Sequence, residues 1–281
     1  MIIYSCAEYT FPLLSPAQRF TLLQLLGFRF VDIGLFERSV GLQPSQLIAE
    51  PKVFTEKIQF SLKSAGLQVA DVFLQIGPDP SDSAANDPNP AVRSRNREIF
   101  LRTLDLCAAL DCKHLTGLPG VWHQGTSESD DVSRAVDEAN WRQHTASGAG
   151  IIYSIEPHLG SICTDIAQTR SLLEAVAGLT LTLDYGHFVH ANINSAAVHS
   201  LLPFASHIHV RGGASERLQT PVSENQIDFA GMMRFLRELK YGGFLALEYV
   251  YTDWGQCNQT DNISETILLR RLLEGLDSQQ K

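Results

Sequence analysis

Ile151-Ile152-Tyr153-Ser154-Ile155-Glu156 alternates two faces: Ile151, Tyr153 and Ile155 on one, and Ile152, Ser154 and Glu156 on the other. A period of two is that of a β-strand, and the face that ends in a carboxylate differs from the aliphatic face that packs under helices. Leu179-Thr180-Leu181-Thr182-Leu183-Asp184 repeats the pattern, with three leucines on one face and Thr180, Thr182 and Asp184 on the other. In His207–Val210 the inner pair is His207 and His209, and in Phe244–Tyr249 the inner set is Phe244, Ala246 and Glu248. Four consecutive strands therefore each deliver a metal-capable side chain to the same end.

Working outward from these, four further strand-like runs lie at Ile2–Cys6, Arg29–Phe36, Leu67–Ile76 and Lys113–Gly117. Segments with helical spacing separate them. Ser15-Pro16-Ala17-Gln18 has the form of a capping box with proline at the first helical position, and Gly27 closes that helix. Asp228 is placed to cap Phe229–Lys240, ended by Gly242-Gly243, and Gly178 ends Asp165–Ala177. Eight strands alternating with helices are the count of an α/β fold of the (β/α)8 TIM barrel type, one domain over residues 1–281. The absence of a G-x-G-x-x-G turn after an early strand argues against a doubly wound sheet. Gly77–Pro90, with four prolines, is the one long irregular stretch, and its length suits a substrate lid or a tolerated insertion.

The chain carries 31 acidic and 22 basic residues, a net charge of −9, which opposes binding to a phosphate backbone. Met1–Leu14 lacks the basic and apolar regions of a signal peptide, and no run reaches the roughly 18 apolar residues of a membrane span. The expectation is a cytoplasmic protein with neither nucleic-acid nor membrane partners. The five scattered cysteines, without a C-x-x-C pair, read as reduced buried thiols. A homo-oligomer suits the fold, but no patch in the sequence marks one.

In a barrel the strands' C-terminal ends meet at the active site. Glu156, Asp184, His209 and Glu248 follow one another at intervals of 28, 25 and 39 residues, each about one βα unit, so they should be neighbours on the rim. Three converging carboxylates repel unless a cation sits among them. Three oxygen donors and one imidazole, with room for substrate or water, suit Mn2+ first, then Mg2+ or Co2+, with Zn2+ compatible. On the same rim His187, His158, Arg217, Trp122, His123 and Trp254 are candidates for substrate contact, and Glu37 for a polar wall. His207 reads as structural, within the barrel interior.

Ser154-Ile155-Glu156-Pro157-His158, Leu183-Asp184-Tyr185-Gly186-His187, His207-Ile208-His209-Val210 and Leu245-Ala246-Leu247-Glu248 resemble the xylose isomerase-like TIM barrels of the sugar phosphate isomerase/epimerase superfamily. The resemblance implies that Glu156, Asp184, His209 and Glu248 are the metal ligands and that His187 contacts substrate. The spacing of Arg217 from His209 departs from that of the ketose epimerases. The implied function is a divalent-metal-dependent sugar isomerase or epimerase, moving a proton through an enediolate on a ketose or related hydroxycarbonyl compound, with Glu156 and Glu248 as base and acid. The alternative is a lyase similar to dehydroshikimate dehydratase. An abasic-site endonuclease ranks lower, because the family's extra histidines have no counterpart at Phe73-Leu74-Gln75-Ile76, and a non-catalytic barrel also ranks below.

Overall fold

The computed structural model describes residues 2–37 and 41–278. Eight parallel strands close into a barrel in sequence order: β1 (Ile3–Ala7), β2 (Phe30–Phe36), β3 (Gln68–Gln75), β4 (His114–Gly117), β5 (Ile152–Ile155), β6 (Thr180–Asp184), β7 (Ala205–Val210) and β8 (Phe244–Leu247), with β8 pairing back onto β1. All eight sequence-derived strands are present, with ends shifted by one or two residues.

The outward leucine face is the core. Ile155, Leu181, Leu183, Ile208, Leu245 and Leu247 are fully buried beneath the helices. Helix Phe229–Glu238 covers them with Phe229, Met232, Met233 and Leu236. Burying each such side chain stabilises the fold by about 1.5–3 kcal/mol.

Caps fix where the helices begin. Asp228 Oδ1 accepts the Gly231 N–H at 2.8 Å, and Asp165 Oδ1 accepts that of Gln168 at 2.8 Å. The Gln18 side chain accepts the Ser15 N–H at 3.0 Å, as the capping box requires. One end differs from expectation: helix Phe229–Glu238 stops before Gly242-Gly243, because Lys240 already takes a left-handed backbone with φ 52°.

The barrel interior is unusually polar. Thr182 Oγ1 bonds Thr116 Oγ1 at 2.6 Å and Ser154 Oγ at 2.5 Å, on the inner parity read from the sequence. Beside them Asp32 bonds His207 Nε2 at 2.6 Å, and Asp71 bonds His114 Nδ1 at 2.6 Å. His207 is thus an interior residue. A buried carboxylate is tolerable only with such partners.

All five cysteines are free and buried. No helix among the described residues is long and apolar enough to cross a membrane.

Candidate active site

The strand ends bring four side chains to the mouth of the barrel. Glu156 follows β5, its N–H bonded to Gly117 O at 2.9 Å, and Glu248 follows β8, its N–H bonded to Val210 O at 3.0 Å. Asp184 ends β6, and its Oδ1 accepts the Gly186 N–H at 2.6 Å, capping the short helix Tyr185–His190. His209 lies in register between Asp184 and Ala246. Each is at most 4% exposed.

His209 Nδ1 is 2.6 Å from Glu156 Oε1 and 3.4 Å from Glu248 Oε2. The ligand atoms of Glu156, His209 and Glu248 lie within 4.8 Å of one another, as do those of Glu156, Asp184 and His187. Glu156 belongs to both triads.

Arg211, which the sequence reading did not single out, joins the two groups. Its guanidinium bonds Asp184 Oδ2 and stands 3.6 Å from Glu248 Oε2 and 3.3 Å from His187 Nε2, with the residue 3% exposed. His207, His209 and Arg211 share one parity, but β7 ends at Val210, as the sequence predicts, so Arg211 stands one residue beyond the strand. Two further partners lie on other strands. Tyr9, just past β1, donates its phenol to Glu248 Oε1 at 2.9 Å. Asp32 Oδ2, on β2, lies 3.8 Å from His209 Nε2.

Burial by itself would lower the His209 pKa, but Glu248 and Glu156 override it and raise it to about 10. Burial pushes Glu248 up to about 7 against the pull of His209 and Arg211. Glu156 goes the other way: the His209 charge and hydrogen bond overcome burial and hold it below the usual range. Asp184 is also held low, with Arg211 the chief counterweight to burial. Two carboxylates in one site are thereby pushed apart, the arrangement that separates an acid from a base. Burial lowers His187 to about 4, so it is neutral at pH 7. Both ring nitrogens face donors: Nδ1 the Leu159 N–H at 3.3 Å and Nε2 the Arg211 guanidinium at 3.3 Å.

The donors fit a divalent cation. Ligands on opposite sides of an ion at 2.0–2.3 Å stand roughly 4–4.6 Å apart, within the span of both triads. Glu248 Oε2 is buried without a hydrogen-bond partner. The positive charge that offsets these carboxylates comes from Arg211 and the His209 proton, and a cation would take over part of that role.

The profile of the xylose isomerase-like TIM barrel family matches residues 20–272. The chain belongs to that family. A Danio rerio relative named as a hydroxypyruvate isomerase is 25% identical over 206 residues, covering 67% of this chain and 74% of the relative. Among solved structures, a 3-keto-D-glucoside 4-epimerase from E. coli superposes with a TM-score of 0.73 at 16% identity, over 98% of this chain and 100% of that one. A protein named a probable 3-DHS dehydratase from Bacillus anthracis gives 0.70 at 14%, over 96% and 99%. At such identities the structures establish a shared fold and no shared reaction.

The remaining candidates divide around this xylose isomerase-like site. His158 and His187 line the cavity, as does Trp254, whose ring centroid lies 6.5 Å from that of His187. Arg217 does not reach the cavity. A tight turn, with Ala214 N–H bonded to Arg217 O and Glu216 at φ 59°, carries it outward to an exposed pair with Glu224 at 2.6 Å. Trp122 is 38% exposed and lies outside the cavity lining, and His123 is spent on Asp131 at 3.0 Å. Glu37 accepts the Ser45 N–H, an anchor for its loop. The loop 77–90 is tied down: Asn86 bonds the Val121 N–H and C=O at 3.0 and 2.8 Å, and Asn96 holds Ser83 O at 2.9 Å. Only Pro80 of that loop enters the cavity lining.

Proposed function

We propose that the chain is a divalent-metal-dependent isomerase or epimerase that moves a proton between adjacent carbons, or from one face of a carbon to the other, of a hydroxycarbonyl compound. The observation that carries this reading is the convergence of Glu156 and Glu248 on His209 Nδ1 at the floor of a cavity of about 350 Å3. Glu156, Asp184, His209 and Glu248 would hold the ion, Mn2+ by preference. When bound, the cation supplies Lewis-acid polarisation of the carbonyl and balances charge that develops on oxygen.

The chain's own groups carry the rest. Glu248 takes or returns the proton at carbon, and Glu156 serves the opposite side. Tyr9 orients Glu248 through its 2.9 Å hydrogen bond. The Arg211 guanidinium, 3.3 Å from His187 Nε2, supplies positive charge beside the oxygen on which negative charge grows, with the neutral His187 ring next to it. The names of the Danio rerio relative and the E. coli epimerase agree with this class. The five buried free thiols suit a reducing, cytoplasmic setting.

Metal analysis of the purified chain, followed by incubation of hydroxycarbonyl compounds in D2O under proton NMR, tests the reading. The expected result is one tightly held divalent ion and deuterium at the carbon next to the carbonyl without loss of water. Glu248→Gln should keep the fold and lose most of the exchange. Near-normal exchange by the metal-saturated variant would refute the two-carboxylate assignment.

A further inference from the structure

The cavity at the barrel mouth is divided by strand order. The later half of the barrel supplies its charged and hydrogen-bonding groups, Glu156, His158, His187, Arg211 and Glu248. The earlier half supplies rings and aliphatic groups: Tyr9 after β1, Phe36 on β2, Phe73 on β3 and Leu118 after β4. Val250 and Trp254, which follow β8 and so adjoin β1, extend the apolar side, with the exposed Tyr251 and with Thr252, whose Oγ1 accepts the Trp254 N–H at 3.3 Å, between them.

That wall is built rather than incidental. Tyr9 and Phe36 meet edge to face at 4.8 Å between centroids, and Phe36 and Phe73 at 5.2 Å. Gly34 makes room for them, since a Cβ there would lie 2.5 Å from both the Tyr9 and Phe36 rings. Polar groups on this side already have partners within the protein. The Gln75 amide donates to Gly77 O at 3.2 Å, the Arg19 guanidinium donates to Glu8 at 2.6 Å, and the Tyr9 phenol to Glu248. Both guanidiniums in the lining, Arg19 and Arg211, are committed to carboxylates.

A substrate hydroxyl pressed against such a wall loses its water without gaining a partner, which weakens binding by about tenfold. A carbon-rich group there gains by leaving water. We propose that the substrate is amphipathic: its reacting hydroxycarbonyl group faces Glu156 and Glu248, and the rest of it is an apolar, ring-shaped or branched carbon body rather than a polyhydroxylated chain or a phosphate ester. This rests on the proton transfer proposed above, whose carboxylates fix the orientation.

The test is binding to the full chain saturated with Mn2+, read by ligand-observed NMR for 2-hydroxycyclohexanone, D-fructose and D-fructose 6-phosphate. The ring ketone is expected to bind at least tenfold more tightly than either sugar. Trp254→Ala and Leu118→Asn should each narrow that gap to threefold or less. The Trp254 ring is 54% exposed, so its loss leaves the fold intact. Binding of fructose or its phosphate as tightly as the ring ketone, binding of none of the three, or a gap that survives both substitutions overturns the proposal. Deuterium uptake into whichever compound binds is a separate readout. Its failure counts against the proton transfer while leaving the binding preference standing, whereas exchange into tightly bound fructose does the reverse.

Discussion

The Tyr9 phenol donates to Glu248 Oε1 at 2.9 Å, linking the ends of the first and last strands across the seam where the barrel closes. With Oε1 so held, Oε2 is left as the buried oxygen without a hydrogen-bond partner. Tyr9→Phe keeps the ring packing and removes only this bond, so the loss in stability should be about 1 kcal/mol. Turnover in metal-saturated protein should fall by roughly tenfold or more, because Glu248 is freed to turn. Steady-state kinetics with a thermal melt checks this, and unchanged turnover would show that Glu248 needs no such support.

Asp32 stands behind His209, with Oδ2 3.8 Å from Nε2, on the side away from Glu156 and Glu248. At that distance Asp32 supports the imidazole by its charge, its hydrogen bond being made to His207 Nε2 at 2.6 Å, and loss of such an outer carboxylate typically costs about 10–100-fold in metal affinity. Asp32→Asn should weaken metal binding by about that factor while the chain stays folded. A competition titration with a chelating dye, together with circular dichroism, measures both.

Metal uptake should release protons. His209, at about 10, and Glu248, at about 7, are raised above their ordinary values by the metal-free cluster. A cation must displace the His209 proton at any pH below about 10, so affinity should rise about tenfold per pH unit from 7 to 10, and more steeply below 7. The same shifts fix the stability of the metal-free chain. A raised pKa contributes stability that is complete below the unfolded value and is lost as pH rises through the folded one. His209 should therefore lower the metal-free melting temperature between about pH 6.5 and 10, Glu248 should add to the fall between about pH 4.5 and 7, and added cation should reverse it. Calorimetric titration in two buffers of different ionisation enthalpy, with melts across that range, checks the sign.

Arg211 and Arg217 should separate cleanly. Arg217 is exposed against Glu224, and an exposed pair contributes about 0–1 kcal/mol, so Arg217→Ala should leave turnover within twofold. Arg211→Ala leaves Asp184 without its buried cation, so a loss of turnover of a hundredfold or more is expected. Equal effects of the two substitutions would remove Arg211 from the proposed site.

How much of this was legible follows from which signals are local. Side-chain alternation is set by the strand backbone alone, so Glu156, Asp184, His209 and Glu248 could be placed on one inner face before any coordinates. The inward hydroxyls Ser154 and Thr182 followed from the same period. Arg211 lies one residue past its strand, which ends at Val210 in the structure as in the sequence reading, so the strand period stops short of it. Loops have no period, so nothing local indicated that Arg217 turns outward at Glu216 or that Asn86 pins the loop 77–90.

By itself the sequence determined the eight-strand alternation, the helix caps and the set of carboxylate and imidazole side chains at the strand ends, because each depends on backbone period or on neighbours a few residues away. Only the tertiary structure decided that Tyr9 holds Glu248, that Asp32 backs His209 and that the mouth is apolar on one half and charged on the other. Those relationships join residues far apart in the chain, 239 positions in the case of Tyr9 and Glu248, and exist only once the barrel has closed β8 against β1.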